Sequence, residues 1–338
     1  MVNIGVIGYG YWGPNLVRNF AQMPQSNLVA CCDLNPDNLK KVELLYPDVS
    51  VTQDVDDLLN NPSVDAVVIA SSAVTHFELA KKALLAKKHV MVEKPLTLSS
   101  STARDLIDIA DKEGLTLMVG HLLEYHPAVG YIKGLIESGE LGDILYLYTQ
   151  RLNLGQVRKD ENALWSLAPH DISIIFYLLG DKEPVEVSAR GESYITDGIE
   201  DTVFCSISCT DKVMAHIHVS WLDPHKIRKL TVVGNKKMAV FDDMESAEKV
   251  RIYDKGVGAD PDYKLYGEDL TLRFGDITIP SIKMREPLRA ECEHFIESIE
   301  TGKRPRSDGY DGLRVVKVLE AAQKSLKSGG KPVKIEEG

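Results

Sequence analysis

The sequence predicts an α/β fold in its first part and an α+β fold in its second, with a boundary near residue 120. In residues 1–120, short continuous apolar runs alternate with helical segments, which is the pattern of a parallel sheet covered by helices on both faces. Between Glu186 and Tyr253, apolar and polar residues alternate with period two, as in antiparallel strands with one wet face. We therefore expect two domains, residues 1–120 and residues 121–338.

Each predicted strand of the first domain is a short apolar run that ends near a glycine or a polar residue. The predicted strands are Val2–Ile7, Leu28–Cys32, Ala66–Ala70, His89–Val92 and Thr116–Val119. The segments between them favour helices, because their apolar residues recur at helical spacing. The predicted helices are Asn15–Gln22, Pro36–Leu45, Asp54–Leu59, Thr75–Ala86 and Ser99–Glu113.

The second domain has fewer helices and a different strand pattern. Helices are predicted at His126–Ser138 and Ala168–Leu179, and two closing helices at Pro287–Glu300 and Gly312–Ser328. Residues 254–280 are rich in Gly, Asp and Pro, which predicts a loop.

Composition excludes several classes of protein. The chain has 39 Lys and Arg residues against 50 Asp and Glu residues, a net charge of −11, which argues against nucleic acid or an anionic membrane surface as partner. The longest apolar runs are strand-sized and the N-terminus leads directly into a strand, so we expect neither a transmembrane helix nor a signal peptide. The five cysteines form no CxxC pair or Cys/His metal spacing, which predicts reduced thiols in a cytoplasmic protein and no metal site.

The strongest motif is a GxGxxG that follows a strand and opens a helix, with the residues Gly8-Tyr9-Gly10-Tyr11-Trp12-Gly13. In dinucleotide-binding proteins the first glycine permits a tight turn and the second lets the backbone approach a pyrophosphate. The third lets the helix pack on the strand, with the phosphates at the helix N-terminus. The alternative interpretation is a glycine-rich turn without a ligand.

Asp33 ends the second predicted strand, 20 residues after Gly13. A carboxylate at this position of a dinucleotide-binding fold hydrogen-bonds ribose hydroxyls. Residues 34–39 contain no arginine that could meet a 2′-phosphate, which favours NAD over NADP. The alternative is an ordinary residue at a strand end.

Two further segments carry candidate chemistry. Glu93-Lys94-Pro95 directly follows a strand, and the carboxyl ends of strands in an open α/β sheet face the ligand crevice. His170 lies near the start of an apolar helix and suits acid/base catalysis because histidine titrates near neutral pH. The alternatives are a surface Lys–Glu pair and a capping or packed histidine.

Together these motifs resemble the glucose–fructose oxidoreductase/inositol dehydrogenase/MocA (Gfo/Idh/MocA) family over essentially the whole chain. The resemblance implies a Rossmann domain with a doubly wound parallel sheet, an α+β domain with an open, mostly antiparallel sheet, bound NAD, and assembly as a homodimer or homotetramer. The sequence is most similar to the branch that oxidises nucleotide sugars at C3. The segments that carry this similarity are Gly10–Phe20, Val119–His121, Tyr125–Pro127 and Arg151–Gly155.

The resemblance also implies roles for individual residues. Lys94 matches a lysine that touches the nicotinamide side and the reacting hydroxyl, and His170 matches the histidine of an Asp-x-x-x-His pair. Ser166 occupies the Asp position, so the pair lacks its negative charge here. The implied cofactor-binding residues are Gly8, Tyr9, Gly10, Tyr11, Trp12, Gly13, Asp33, Ser71, Ser72, Thr75, His76, Glu93, Lys94 and Trp165. The implied substrate-binding residues are Lys94, Tyr125, Arg151, Arg158, Ser166 and His170. Both arginines, with the neighbouring Lys159, are candidate contacts for a substrate pyrophosphate.

The expected activity is NAD-dependent oxidation of a sugar hydroxyl, at C3 of a UDP-N-acetylhexosamine or its uronic acid. His170 is the expected base and Lys94 the residue that orients the oxygen, although the two roles could be exchanged. The alternatives within the family are an inositol or simple-sugar dehydrogenase and a 3-ketosugar reductase. A different class remains open as well, an NAD-binding regulator without catalysis.

Overall fold

The computed structural model of the chain describes residues 1–155, 157–159, 161–258 and 271–335. The chain divides into two compact units. Unit 1 comprises Met1–Tyr125 and Arg285–Lys317, and unit 2 comprises His126–Met284 and Val318–Gly338. This division differs from the single boundary near residue 120, because a segment close to the C-terminus belongs to the first unit.

Unit 1 contains a six-stranded parallel sheet with the strand order β3-β2-β1-β4-β5-β6. This is the order of a doubly wound dinucleotide-binding fold, with its switch point between β1 and β4. The strands are β1 (Val2–Ile7), β2 (Ser26–Cys32), β3 (Ser50–Thr52), β4 (Ala66–Ile69), β5 (His89–Glu93) and β6 (Leu117–Gly120). The predicted α/β class and parallel sheet are confirmed.

Helices cover both faces of this sheet. They are α1 (Gly13–Gln22), α2 (Pro36–Leu45), α3 (Val55–Leu59), α4 (Ala73–Leu85) and α5 (Ser100–Glu113). Alternate residues of β1 enter two different core clusters, since Ile4 and Val6 pack with Leu16 of α1 whereas Ile7 packs with Ala80 of α4. The continuous apolar strands of the sequence thus reflect burial on both sides.

Two helices near the C-terminus complete unit 1. Helix α8 (Pro287–Thr301) packs against α1, where Phe295 meets Phe20 edge-on with ring centroids 6.5 Å apart. Helix α9 (Gly309–Lys327) contributes its first part to unit 1 and its last part to unit 2. The predicted helices at these positions are confirmed within three residues at each end, but the sequence did not indicate that α8 belongs to unit 1.

Among the described residues, unit 2 contains a nine-stranded, mostly antiparallel sheet with the order β14-β13-β12-β11-β7-β10-β9-β8-β15, in which only the pair β10 and β7 is parallel. Its strands are β7 (Ile144–Leu152), β8 (Pro184–Glu192), β9 (Thr202–Cys209), β10 (Met214–Ser220), β11 (Ile227–Gly234), β12 (Met238–Asp242), β13 (Val250–Gly258), β14 (Thr271–Thr278) and β15 (Val333–Lys334). Along β9, Val203, Cys205 and Ile207 are buried while Phe204 and Ser208 are exposed, which confirms the period-two pattern.

Two helices of unit 2 come before β8 in the sequence. Helix α6 (Pro127–Glu137) begins after His126, whose Nδ1 accepts a hydrogen bond from the backbone of Ala128. Helix α7 (Ala163–Leu179) packs against β7, β9 and β10 with a nearly continuous apolar sequence. Among the helices of the described residues, none combines the length and apolarity needed to cross a membrane.

Three expectations about unit 2 are corrected. The predicted loop 254–280 contains the end of β13 and all of β14, while residues 259–270 lie outside the described residues. Helix α7 starts five residues before the predicted Ala168, because Asn162 caps it and Pro169 is accommodated inside it. Strand β7 was not predicted. Its large apolar residues Leu145, Tyr146 and Tyr148 are exposed, so the strand lacks a clear alternation of apolar and polar residues.

Candidate active site

Four neighbouring strands of unit 1 bring the predicted cofactor residues of that unit to one edge of the sheet. In the parallel register, Ile7 of β1 lies beside Cys32 of β2 and Ile69 of β4, and Ile69 lies beside Val92 of β5. The residues that follow these strands therefore emerge together at the carboxyl edge, at the switch point where ligands bind in such sheets. They are the Gly8–Gly13 loop, Asp33, the Ser71–His76 segment and Glu93–Pro95.

The three glycines of the loop differ in what a side chain at each position would contact. Gly8 has φ = 100°, and a Cβ there would lie 2.7 Å from the carbonyl oxygen of Ala70. A Cβ at Gly13 would lie 2.2 Å from the carbonyl oxygen of Gly8, so only glycine lets α1 begin this close to β1. A Cβ at Gly10 would meet none of the described residues within 4 Å, which leaves open space beside the backbone.

The aromatic residues of the loop occupy three environments. Tyr9 is buried in the core of unit 1, Tyr11 is 93% exposed, and Trp12 is half-buried at the N-cap of α1. The side chain of Trp12 hydrogen-bonds Glu93, and the indole N–H is the donor because indole has no acceptor. Tyr9 therefore anchors the loop, whereas Tyr11 is accessible to a ligand.

Asp33 links the end of β2 to the glycine loop. Its Oδ2 accepts a hydrogen bond of 2.6 Å from the backbone N–H of Tyr9, and its Oδ1 accepts one of 2.8 Å from that of Asn35. The side chain of Asn38 also donates to Oδ1 at 3.2 Å. A carboxylate can accept about four hydrogen bonds, so capacity for a ribose hydroxyl remains.

The segment after β4 is ordered by its own side chains. The hydroxyls of Ser71 and Thr75 are 2.7 Å apart, and Thr75 donates to the carbonyl of exposed Ser72 at 2.8 Å. His76 is 1% exposed and lies with Nδ1 2.7 Å from the carbonyl oxygen of Pro95 and Nε2 3.2 Å from that of Ser71. Burial lowers the pKa of His76. His76 thus links the segments that follow β4 and β5, and its ring is not free to line the edge.

Glu93 and Lys94 emerge side by side from β5. The Glu93 carboxylate accepts a hydrogen bond from the backbone N–H of Lys94 at 3.3 Å, and its atoms lie 3.1 Å from the position of a Cβ on Gly120. Burial raises the pKa of Glu93 to about 7, while the charge of Lys94 and the hydrogen bonds from Lys94 and Trp12 lower it. The Lys94–Pro95 peptide bond is cis. Lys94 itself is half-buried at the edge.

Tyr125 lies in the interior of unit 1. It is 7% exposed, and its hydroxyl lies 3.0 Å from Nδ1 of His294 and 3.1 Å from Oγ of Ser307. Burial raises the pKa of Tyr125 well above its ordinary value. These contacts correct the expectation that Tyr125 binds substrate, because its hydroxyl is engaged within the core.

In unit 2, helix α7 carries three of the predicted site residues, Trp165, Ser166 and His170. Ser166 and His170 are four residues apart on this helix and share a face, as an i,i+4 pair must. The backbone N–H of Trp165 donates to the capping side chain of Asn162 at 3.1 Å, and its indole N–H donates to Gln323 at 3.1 Å. Trp165 therefore has its polar atom fixed by α9.

The structure corrects the role of Arg151. This residue of β7 is 8% exposed and forms a two-point ion pair with Asp171 of α7, Nε to Oδ2 at 2.6 Å and Nη2 to Oδ1 at 3.2 Å. A guanidinium committed in this way within the core is not a phosphate ligand. Arg158 is 44% exposed and pairs with Glu161 at 3.0 Å, so it remains accessible to a phosphate.

The residues of unit 1 fit a bound dinucleotide. The open space at Gly10 admits a pyrophosphate, and the first turn of α1 contains no acidic residue that would repel it. Asp33 retains acceptor capacity at the position of the ribose. A parallel sheet with this strand order, glycine loop and acidic strand end defines a dinucleotide-binding domain of the Rossmann type.

Comparison with known proteins identifies the family. A model of an oxidoreductase family with an NAD-binding Rossmann fold matches residues 2–121, and a model of the GFO/IDH/MocA C-terminal domain matches residues 129–240. The chain belongs to the Gfo/Idh/MocA family and is an NAD-dependent oxidoreductase. The resemblance found in the sequence is confirmed.

The chain is similar along its length to dehydrogenases of two substrate types. UDP-N-acetylglucosamine 3-dehydrogenase of Acidithiobacillus ferrooxidans is 28% identical over 92% of this chain and 93% of the relative. A solved structure of that enzyme has a TM-score of 0.81 and 26% identity, covering 97% of this chain and 98% of the other. Myo-inositol 2-dehydrogenase of Thermotoga maritima is 25% identical over 99% of both chains.

Proposed function

We propose that the protein oxidises a secondary hydroxyl of a nucleotide-linked sugar, at C3 of a UDP-N-acetylhexosamine or its uronic acid. The observation that carries the proposal is the convergence of Lys94 with the Gly8–Gly13 loop and Asp33 at one sheet edge. This edge combines a dinucleotide site with an amine that can meet a substrate hydroxyl. The similarity to UDP-N-acetylglucosamine 3-dehydrogenase over 92% of the chain supports the substrate class.

The proposed chemistry assigns one step to each catalytic residue. NAD, when bound, supplies the hydride acceptor. His170 accepts the proton of the substrate hydroxyl, and Lys94 donates a hydrogen bond to the same oxygen and orients it. In the converse assignment a neutral Lys94 is the base. Ser166 can orient a neighbouring ring but supplies no negative charge, so His170 acts without an Asp partner at that position.

A substrate diphosphate would need a cation, and Arg158 is the candidate that remains. Its guanidinium is accessible and pairs with Glu161. A surface ion pair of this kind contributes only about 0–1 kcal/mol to stability. Lys159, the next residue, is exposed as well. A phosphate can therefore displace the Glu161 contact with little loss of stability.

The second candidate function is oxidation of inositol or a simple sugar. The observation that favours it is the burial of Arg151 against Asp171, which removes one of the two arginines expected to contact a diphosphate. The similarity to myo-inositol 2-dehydrogenase over 99% of both chains supports the same alternative.

The experiment that separates the candidates is a substrate screen that follows NADH absorbance. Purified protein with NAD is offered UDP-N-acetylglucosamine, UDP-N-acetylglucosaminuronic acid, myo-inositol and free N-acetylglucosamine at equal concentrations. The proposal requires NADH formation with a UDP-sugar at a kcat/KM at least tenfold above that of any free sugar. Preference for inositol would support the second candidate. Reduction of NAD by no sugar would contradict both.

We also propose that the protein is a homodimer or homotetramer assembled through the open sheet of unit 2. One face of this sheet carries Tyr146, Tyr148 and Phe204, which are 45%, 36% and 46% exposed, with Phe204 stacked on His218 at 4.1 Å. Exposed aromatic patches of this kind typically mark protein interfaces. Light scattering after gel filtration tests this: Tyr148→Glu should reduce the molar mass to that of the monomer.

A further inference from the structure

Three ionisable side chains meet in the interior of unit 1, and we call them the His121 triad. They are His121, which directly follows β6, Glu124 in the 3₁₀ turn Leu122–Tyr125, and Asp311 in the first turn of α9. They are 1%, 1% and 8% exposed. Burying charged groups in this way costs free energy unless each of them is neutralised by a partner of opposite charge.

The three side chains converge on one point. Nδ1 of His121 lies 2.6 Å from Oδ2 of Asp311 and 3.3 Å from Oε1 of Glu124. One nitrogen or oxygen atom from each residue lies within 4.8 Å of those from the other two. Three protein ligands around a shared point are the arrangement of many metal sites in proteins.

The backbone holds these residues in place. The N–H of Glu124 donates to the carbonyl oxygen of His121 at 3.0 Å, which closes the turn between them. Side chains three residues apart in a 3₁₀ turn lie on the same side of it. The N–H of Asp311 donates to the side chain of Asp308 at 2.9 Å, at the start of α9. The triad is therefore built on backbone that hydrogen bonds fix on both sides.

One carboxylate oxygen of the triad has no hydrogen-bond partner within the described ranges. This atom is Oε1 of Glu124, and Nε2 of His121 is a second such atom. The hydrogen on Nδ1 of His121 goes to Asp311, because 2.6 Å is the length of a charge-assisted hydrogen bond. An unsatisfied buried carboxylate oxygen is costly, and a bound ion or water molecule is the usual explanation for one.

Charge balance favours a cation over a water molecule at this oxygen. The triad has two carboxyl groups and one imidazole, so an imidazolium with two carboxylates has a net negative charge. A water molecule leaves that charge unchanged. A second proton, on Glu124, makes the triad neutral, and so does a divalent cation that takes the place of both protons.

We propose that the His121 triad binds one divalent transition-metal ion, of the zinc or manganese kind, in exchange for two protons. His121 binds the ion through Nδ1, and Glu124 and Asp311 supply carboxylate oxygens. The protons leave from the imidazolium and from the Glu124 carboxyl group, so the net charge of the triad does not change. Because all three ligands are buried, the ion is structural and ties α9 to the turn after β6.

The donor set selects the class of metal. Imidazole suits zinc, iron, nickel and copper, carboxylate suits manganese, and calcium and magnesium prefer oxygen ligands alone. Zinc bonds of about 2.0–2.2 Å place ligand atoms about 3 Å or more apart. The contact between His121 and Asp311 therefore opens by about 0.5–1 Å when the ion replaces the hydrogen. Rotation of two side chains suffices for a change of this size.

The Cys and His spacing of the sequence does not bear on this site. Asp311 lies 190 residues after His121, so the ligands come together only in the folded unit. His121 and Glu124 alone form a pair three residues apart, which is common without a metal.

Calorimetry with zinc tests the proposal on the full chain. The protein is treated with EDTA, and Zn²⁺ is then titrated at pH 8 in two buffers of different ionisation enthalpy, which gives the stoichiometry and the protons released. Burial lowers the pKa of His121, but the carboxyl groups of Asp311 and Glu124 outweigh burial and raise it to about 10, so its proton is present at pH 8. Burial raises the pKa of Glu124 to about 8. We expect one ion per chain and release of about one to two protons.

Proton release distinguishes the triad from a surface site. Ordinary histidines have lost their proton at pH 8, about 1.5 units above their pKa, so zinc bound there releases almost none. Saturable binding without proton release therefore shows an adventitious ion only and overturns the proposal. Absence of saturable binding overturns it as well.

Two variants and a matched control locate the site. Asp311→Asn and Glu124→Gln each remove a carboxylate ligand and should weaken zinc binding at least about tenfold. Asp223→Asn makes the same kind of change beside another histidine, His225, which is 78% exposed and lies 3.8 Å from Asp223. The control should leave affinity and proton release unchanged. Binding that is lost in Asp223→Asn, or that is unchanged in both triad variants, overturns the proposal.

A second measurement uses the wild-type chain, in case a triad variant does not fold. X-ray data from zinc-loaded crystals, recorded on either side of the zinc absorption edge, locate the ion. We expect an anomalous peak about 2.0–2.2 Å from Nδ1 of His121. A peak at surface residues only, or no peak, overturns the proposal. Neither experiment uses a sugar or NAD, so its outcome is independent of the proposed oxidation.

Discussion

The sequence predicts that Arg151 contacts a phosphate, whereas the structure pairs it with Asp171 in the core, and mutation can distinguish the two roles. The side chains are 10% and 3% exposed and make two hydrogen bonds. Removing one partner leaves the other as an uncompensated buried charge, which costs about 3–5 kcal/mol. For a domain of 150–250 residues this lowers the Tm by about 6–20 °C. Arg151→Met should therefore destabilise the protein strongly.

A double-mutant cycle measures the pair itself. Asp171→Leu alone should cost a similar free energy, while Arg151→Met with Asp171→Leu should be close to wild type, because replacing a whole buried pair by apolar residues is often neutral. Urea unfolding followed by circular dichroism gives the free energies, and differential scanning fluorimetry gives the Tm. Costs that simply add in the double variant would contradict the ion-pair account.

Arg158→Met is the matched control, since this arginine is 44% exposed. It should change the free energy of unfolding by less than about 1 kcal/mol. Arg158→Met should raise the KM for a UDP-sugar. Arg151→Met should leave this KM unchanged when only the folded protein is counted. A stable Arg151→Met protein with a tenfold higher KM would restore the phosphate role of Arg151 and refute the reasoning.

Three further predictions concern unit 1. Asp33→Ala should weaken NAD binding about 10–100-fold, because charged hydrogen bonds contribute about 1.5–3 kcal/mol. It should also reduce the preference for NAD over NADP, and calorimetry with both cofactors measures both effects. An unchanged preference would contradict the assignment of Asp33 to the ribose. Gly13→Ala places a Cβ 2.2 Å from the carbonyl oxygen of Gly8 and should reduce NAD affinity at least tenfold, or about 1.4 kcal/mol, in the same titration. The raised pKa values of His121, about 10, and Glu124, about 8, mean that the folded state holds more protons than the unfolded state. The free energy of unfolding, measured with urea, should therefore fall by about 1.4 kcal/mol per proton and pH unit between about pH 7 and 9, and a flat profile would contradict the protonation of this buried pair.

Local signals in the sequence indicated the glycine loop and the strand-end carboxylate that the fold brings to one edge of the sheet. The Gly8–Gly13 loop is recognisable because its glycines are required by contacts within a few residues or with the adjacent strand. Asp33 is recognisable because its distance from the loop is fixed by one βα unit. Both features depend on nearby sequence, which a single chain displays.

The features that sequence reasoning missed depend on distant pairs. Arg151 on β7 and Asp171 on α7 meet only because the helix packs on that strand, and nothing in either segment indicates the pairing. Buried His121 likewise contacts Asp311, which lies 190 residues further along the chain. An amphipathic pattern shows that α8 is a helix, but it does not show which unit the helix covers.

The central claim is that Lys94 acts on a substrate hydroxyl beside bound NAD, and one measurement tests it directly. NADH formation from UDP-N-acetylglucosamine is compared for wild type, Lys94→Met and the surface control Lys112→Met, with NAD affinity measured on each protein. A lost acid/base or orienting group typically costs about 10²–10⁴-fold in rate. We predict such a loss of kcat for Lys94→Met with NAD affinity largely retained, and none for Lys112→Met. Near-normal turnover by Lys94→Met would contradict the account.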